Sequence, residues 1–303
     1  MSRVLVTGAG GFVGSHVSRA LVERGHQVSV LLRQGTGAER IEDLRGRVQV
    51  LTADLTDAGA VEAAVADAQP ESCLHLAWYA EPGAYLRAAA ENLGSLAGGA
   101  NLLAALIRNE CRRVVLGGTC LERSVEEPSR TVYAAAKRAL HLVADRLTDS
   151  GLSAACAHLF YLYGPGEDPR RVIPSVALAL LRGEQVGVTA GDQIRDYLYV
   201  TDVASGLCAV LESDLSGGVD VCAARGLRLR EVLESIERET GCAGAIRFGA
   251  RPYGRDELFE AVGDARALHG LGWQPTVGLT DGMARTVEWW RRRVAKGAEV
   301  GVG

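Results

Sequence analysis

The first half of the chain alternates short β-branched runs with longer stretches whose apolar residues recur at helical spacing. Arg3–Thr7, Gln27–Leu32, 48–52, 72–76, 113–117 and Ser153–Leu159 read as strands, and 12–24, 57–67, 85–108 and 133–150 as helices. Parallel neighbours in a sheet need long crossovers, and helices supply them. This alternation therefore predicts an α/β fold with a parallel sheet covered on both faces. Beyond Tyr163-Gly-Pro165 the rhythm loosens into helices at 171–182, 202–212, Leu229–Thr240 and 280–295, with Gly-rich turns and short strands between them. That stretch reads as too irregular to extend the sheet. The expected division is a dinucleotide-binding domain at 1–163 and a smaller mixed α/β lobe at 164–303, with the 202–212 helix packing back onto the first. Residues 296–303 read as a frayed tail.

The run Val6-Thr-Gly8-Ala-Gly10-Gly11-Phe-Val-Gly14 joins the first strand to the first helix. Glycines at 8, 11 and 14 allow a sharp turn and a close backbone approach. They bring a pyrophosphate to the N–H groups at the positive end of a helix, those of Phe12 and Val13 among them. Because the run follows a strand, opens a helix and starts a βα series, it predicts a dinucleotide site. The second strand ends Leu31-Leu32-Arg33, with Leu32 where an acidic residue would hold the ribose hydroxyls and Arg33 directly after it. A cation without a carboxylate favours NADP(H), with NAD(H) the alternative. Asp54 and Leu55, after the third strand, are placed to border the adenine. Leu76 and Ala77, after the fourth, are placed to border the middle of the cofactor.

Tyr133-Ala-Ala-Ala-Lys137 sets a phenol and an ammonium one helical turn apart. The chain has only two lysines, Lys137 and Lys296, against 31 arginines, so a lysine at this spot is notable. A nearby cation is expected to lower the tyrosine pKa towards neutrality. Such a phenol can give a proton to a carbonyl oxygen or take one from an alcohol. Thr119, at the end of the fifth strand, could hydrogen-bond the same oxygen. Cys120 beside it has no His or Asp companion for nucleophilic chemistry.

Together these motifs resemble the extended short-chain dehydrogenase/reductases, the NAD-dependent epimerase/dehydratase family of nucleotide-sugar enzymes. The resemblance covers nearly the whole chain. It runs through Gly8-x-x-Gly11-x-x-Gly14, Asp54-Leu55, His75-Leu-Ala77, Asn92, Thr119, Tyr133-x-x-x-Lys137, Tyr163-Gly-Pro165, Arg195-Asp-Tyr197, Val200-x-Asp202 and Leu271-Gly-Trp273. It implies a Rossmann-type doubly wound sheet in which Thr119, Tyr133 and Lys137 act together. Lys137 and Asn92 would also contact the cofactor. On the substrate side it implies that Arg195 and Arg255 bind phosphate, with Arg251 a fallback, and that Val172 borders the nucleotide base. Trp78, Tyr79 and Tyr85 are placed to shape a sugar pocket or to pack. Two departures stand out: the Thr119–Tyr133 stretch is short, and Phe160-Tyr161-Leu162 replaces a more usual Asn, leaving Tyr161 to bind sugar or phosphate.

The expected reaction is reduction of a nucleotide-linked 4-keto-6-deoxyhexose, dTDP-linked by preference, with NADPH. A 4-epimerase that holds NAD is the runner-up. A dehydratase needs a further acid and base beside the threonine, where only Glu122 stands near. A cofactor-binding module without turnover fits poorly with an intact Tyr/Lys pair. A net charge of −4 with no basic block argues against nucleic acid. No apolar run reaches the roughly 18 residues of a membrane span, and nothing at the start reads as a signal sequence, so a cytoplasmic protein is expected. The seven cysteines and six histidines form no ligand pattern along the chain, which predicts no metal. Weakly charged helices at 85–108 and 133–150 predict a homodimer, which the resemblance places in a four-helix bundle.

Overall fold

The structure is a computed structural model that describes residues 1–35, 38–122, 131–254 and 257–297. The first 159 residues form β1 (Arg3–Thr7), α1 (Phe12–Glu23), β2 (Gln27–Leu32), β3 (Gln49–Thr52), α2 (Ala58–Ala68), β4 (Ser72–His75), α3 (Ala89–Arg108), β5 (Arg113–Thr119), α4 (Val132–Ala144) and β6 (Ser153–Leu159). There follow β7 (Tyr161–Tyr163), α5 (Val172–Leu181), β8 (Val186–Gly187), β9 (Ile194–Tyr199), α6 (Val200–Leu211) and β10 (Gly217–Val221). The chain ends with β11 (Gly226–Arg228), α7 (Leu229–Thr240), β12 (Ile246–Arg247), β13 (Glu260–Ala261), α8 (Arg266–Gly270) and α9 (Leu279–Ala295).

Two compact units result. The first comprises Met1–Leu159, Val203–Val221 and Ala265–Trp273, and the second Phe160–Asp202, Cys222–Asp264 and Gln274–Gly303. The first is a seven-stranded sheet in the order β10-β6-β5-β4-β1-β2-β3, parallel at every pairing. Its order reverses between β1 and β4, the switch point at which doubly wound sheets bind dinucleotides. Central strands such as β4 are buried at every residue, because helices cover both faces. The main core joins Leu5, Val61, Val65, Leu102, Leu106, Val114 and Leu140.

The division differs from a single cut after residue 163. The later chain does extend the main sheet, because β10 runs parallel to β6 with Val219 and Val221 buried. That pairing covers an edge that β6 would otherwise expose. The helix predicted from 85 begins at Ala89, after turns whose N–H groups bond back to Glu81 and Ala84. The helix predicted to run to 150 stops at Ala144.

The second unit is built on β9. It pairs antiparallel with β11 and parallel with β7 and β13. Its core gathers Tyr163, Ile173, Leu180, Leu233, Ile236, Val287 and Trp290. Asp202 stitches this unit, with its carboxylate accepting from Thr276 N–H (3.1 Å), Thr276 Oγ1 (2.7 Å) and Val277 N–H (2.9 Å). No described helix is long and apolar enough to cross a membrane.

Candidate active site

The glycine turn lies at the C-terminal ends of β1 and β4. Gly8 has φ +73°, and a Cβ there would meet the Ala77 nitrogen at 2.7 Å and the Leu76 carbonyl carbon at 2.8 Å. A Cβ on Gly14 would come within 2.7 Å of the Gly8 carbonyl carbon. Only glycine fits both places. Gly11 N–H closes the turn on Gly8 O at 3.0 Å, and Gly11 then serves as the N-cap of α1. Gly11 gives the helix no side-chain cap, and the first turn carries no acidic residue. The first-turn amides, those of Phe12 and Val13, therefore have no partner within the helix and no competing carboxylate beside them. This cradle fits the pyrophosphate of a dinucleotide.

Thr7 ties the two strand ends together. Its hydroxyl shares a 2.7 Å hydrogen bond with His75 Nδ1 and accepts from Ala77 N–H at 3.3 Å. His75 is buried, and burial first, then the Lys137 charge, brings its pKa down to about 3, so the ring is neutral. At the end of β2, Leu32 is buried and Arg33 exposed. Asp54 is exposed, and its carboxylate is held below its usual range by hydrogen bonds from Thr56 and, further down the order, by the Arg33 charge. Leu55 packs close to Gly98, where a Cβ would meet the Leu55 Cβ at 2.7 Å.

Thr119 ends β5, while Tyr133 and Lys137 lie one turn apart on α4, whose N-cap Thr131 accepts from Ala134 N–H at 3.2 Å. The Thr119 hydroxyl, which accepts from Leu121 N–H at 3.4 Å, lies near enough to the Tyr133 phenol to favour its ionised form. Lys137 Nζ donates to the Gly117 carbonyl and sits 4.3 Å from the centroid of the Trp78 ring. The Tyr133 ring meets Tyr85 edge-on at 4.9 Å and Trp78 at 6.4 Å. Both aromatics thus pack against Tyr133.

The expected lowering of the tyrosine pKa is not found. Burial pushes the Tyr133 phenol up, with the Tyr85 and Glu122 charges adding to it and the Thr119 hydroxyl opposing it. The ammonium is directed at the Gly117 carbonyl and the Trp78 face, so burial outweighs the expected charge effect. Burial also brings Lys137 down to about 8.

Asn92 packs beside this group. Its Oδ1 accepts from Trp78 Nε1 at 2.8 Å, and its Nδ2 donates to the Tyr85 and Ala88 carbonyls at 2.7 and 2.8 Å. It is buried and holds the Trp78 ring in place. Glu122 follows Thr119 in the chain but turns inward, where its Oε1 accepts from Thr119 N–H at 2.7 Å. No sequence pattern marked this role, because a lone Glu after a strand looks like surface.

Within the second unit, Arg195 on β9 is 5% exposed, and its Nη2 pairs with Glu257 at 2.7 Å. The guanidinium lies 4.6 Å from the centroid of the Tyr161 ring. Its Nη1 is buried without a hydrogen-bond acceptor among the described residues, as a guanidinium awaiting an anion would be. Val172 opens α5 and is half exposed. Arg255 and the stretch 123–130, which includes most of the short Thr119–Tyr133 segment, lie outside the described residues, as does 298–303 of the predicted tail.

Three comparisons bear on this arrangement. The model of the NAD dependent epimerase/dehydratase family matches residues 4–222. UDP-glucuronic acid decarboxylase 1 of Xenopus tropicalis is 26% identical over 96% of this chain and 73% of its own length. dTDP-glucose 4,6-dehydratase of an Actinoplanes species is 29% identical over 95% of this chain and 98% of that protein. Among solved structures, the UDP-glucose 4-epimerase of Thermus thermophilus in complex with NAD superposes with a TM-score of 0.84 at 29% identity, covering 95% of this chain and 99% of that one. The chain belongs to the NAD-dependent epimerase/dehydratase family, enzymes that modify nucleotide sugars on a Rossmann-like sheet.

Proposed function

We propose that this protein is an NADPH-dependent 4-ketoreductase of a nucleotide-linked 4-keto-6-deoxyhexose, with a dTDP-linked sugar the first substrate to test. The observation that carries this reading is the placement of Thr119 and Lys137 beside a phenol that burial keeps protonated. A protonated phenol is the form needed to donate when a ketone is reduced. The glycine cradle and Arg33 supply the pyrophosphate and 2′-phosphate contacts, and Asp54, Leu55, Leu76 and Ala77 border the rest of the cofactor. When bound, the dihydronicotinamide supplies the hydride. Tyr133 gives its proton to the carbonyl oxygen as that oxygen gains charge, so ketone, hydride and proton balance to a secondary alcohol. Thr119 orients the phenol, and the Lys137 ammonium stabilises the phenolate left behind. Within the second unit, Arg195, Tyr161 and Val172 are the residues proposed to contact the nucleotide, with the unmatched Nη1 of Arg195 meeting a phosphate oxygen.

Glu122 speaks against dehydration, because its carboxylate is committed to the Thr119 amide and the protein interior. Epimerisation at C4 with retained NAD is the second reading, favoured by the Thermus relative solved with NAD. A homodimer through α3 and α4 accords with Leu93, Leu142 and Val143, each more than half exposed on those helices.

Arg33 separates the two readings. A guanidinium meeting a 2′-phosphate is worth roughly 1.5–3 kcal/mol, or about ten- to a hundredfold in affinity. Arg33→Ala should weaken NADPH by that factor and leave NADH nearly unchanged, as read by fluorescence titration. Equal affinity of the unaltered protein for both cofactors would overturn the NADPH assignment and favour the epimerase.

A further inference from the structure

Beside Thr119, on its interior side, lies a cluster that the proposed reaction does not use. Glu122 follows β5 on a short 3-10 turn, His141 lies on α4, and Cys156 and His158 are alternate residues of β6 facing the same way. One donor atom from each of the four lies within 4.8 Å of all the others. Glu122 Oε2 stands 3.8 Å from Cys156 Sγ, 3.7 Å from His141 Nδ1 and 4.0 Å from His158 Nε2. Glu122, Cys156 and His158 are buried.

Both histidine contacts to Glu122 are too long for hydrogen bonds, and the thiol contact is at the outer limit for sulfur. Three polar groups converging on one carboxylate oxygen at such distances leave room for an atom between them. One imidazole is also held from behind. His158 Nδ1 shares a 3.2 Å hydrogen bond with Asp220 Oδ1, whereas His141 Nε2 has no hydrogen-bond partner among the described residues although Asp145 Oδ2 lies 3.3 Å away. A proton kept on His158 Nδ1 leaves the Nε2 lone pair directed at the cluster, the usual arrangement behind a metal-bound histidine. Two glycines keep the space. A Cβ on Gly118 would meet Cys156 Sγ at 2.5 Å and Glu122 Oε1 at 3.0 Å, and one on Gly218 would meet His158 Cε1 at 2.7 Å.

We propose that Cys156 Sγ, His158 Nε2, His141 Nδ1 and a Glu122 oxygen form a buried tetrahedral site for a divalent transition metal, with Zn²⁺ the best match. Thiolate and imidazole together select zinc over magnesium or calcium. Thiolate and carboxylate neutralise the dication, so no net charge is added to the interior. Binding exchanges the Cys156 thiol proton, released to solvent, for a metal–sulfur bond. Tetrahedral zinc places its ligand atoms about 3.3–3.6 Å apart, so side-chain shifts on the order of 1 Å close the site. The metal would fix Glu122, whose other oxygen holds the Thr119 amide, making the site a support for Thr119. That link to turnover rests on the reading of Thr119 above, whereas the binding itself does not. The linear sequence hid the cluster because its ligands come from three elements with no paired-cysteine spacing, so an expectation of no metal is what the sequence alone supports.

The test uses the full chain produced with zinc supplementation, with metal content measured by mass spectrometry and the chelator-treated protein titrated with Co²⁺. We expect about one zinc per chain, and with cobalt intense tetrahedral d–d bands plus a thiolate charge-transfer band. Cys156→Ser should lose the charge-transfer band and His158→Gln should lose most of the bound metal, while Cys242→Ser, a control thiol in the second unit, should change neither. Well under one equivalent of zinc in the unaltered protein, with no charge-transfer band on cobalt addition, would overturn the proposal even if the variants fail to fold. So would full retention of metal by folded Cys156→Ser/His158→Gln.

Discussion

The glycine turn of the first unit and the Arg195 region of the second are both suited to receive phosphate, but they are built by opposite means. The turn spans residues 8 to 14 and works through backbone amides, positive φ at Gly8 and contacts that admit no Cβ. Arg195 is held by Glu257, 62 residues away in sequence, and by the face of Tyr161. A backbone site keeps its shape whatever its neighbours' side chains are, and it fails outright when a Cβ enters. A side-chain site can be retuned by one substitution.

The first unit's side of the comparison breaks most sharply at its proton donor. Tyr133→Phe keeps the ring between Tyr85 and Trp78 but removes the hydroxyl, so turnover should fall at least about a hundredfold. NADPH affinity, supported by the backbone cradle, should stay within a factor of about two. Unchanged turnover in steady-state assays would remove Tyr133 from the mechanism.

Next in size is the effect of pH. Burial favours the neutral amine of Lys137 and brings it to about 8 from an ordinary 10.5. The ammonium is present below that value and lost above it. A rate that needs the charge is therefore level below pH 8 and falls about tenfold per unit above it. Lys137→Arg keeps a charge that does not titrate in this range and should abolish the alkaline fall, whatever its absolute rate. A profile that stays flat through about pH 10 in the unaltered enzyme would contradict the role given to Lys137.

The smallest effect sharpens the second unit's side. Glu257→Gln removes the charge that pairs with Arg195 but leaves a hydrogen-bond acceptor in place. A released guanidinium should bind phosphate at least as well, so KM for the nucleotide sugar should fall or stay within about threefold with kcat unchanged. A large rise in KM would show that Glu257 positions Arg195 instead of competing for it.

How much could be read from the sequence follows the same contrast. The six strands of the first 159 residues, the glycine turn and the Tyr133/Lys137 pair are local patterns, and the parallel sheet followed from them. What escaped was long-range. β10 joins β6 from 58 residues beyond the end of that strand, and five residues flanked by Gly-rich chain look like a turn. The contacts of the Asn92 amide with Trp78 and two carbonyls are likewise revealed by no linear pattern. The tyrosine pKa erred because spacing reports that a cation is near but not that burial outweighs it.

The most direct test of the account follows the hydride itself. The enzyme would be mixed in single turnover with a dTDP-4-keto-6-deoxyhexose and NADPH deuterated at the transferring position of the nicotinamide, and the product analysed by mass spectrometry and NMR. The account predicts one deuterium at C4 of a newly formed alcohol, with one NADPH oxidised per product. Unchanged ketosugar with NADPH intact, or a C4 alcohol carrying no deuterium from the added cofactor, would contradict it.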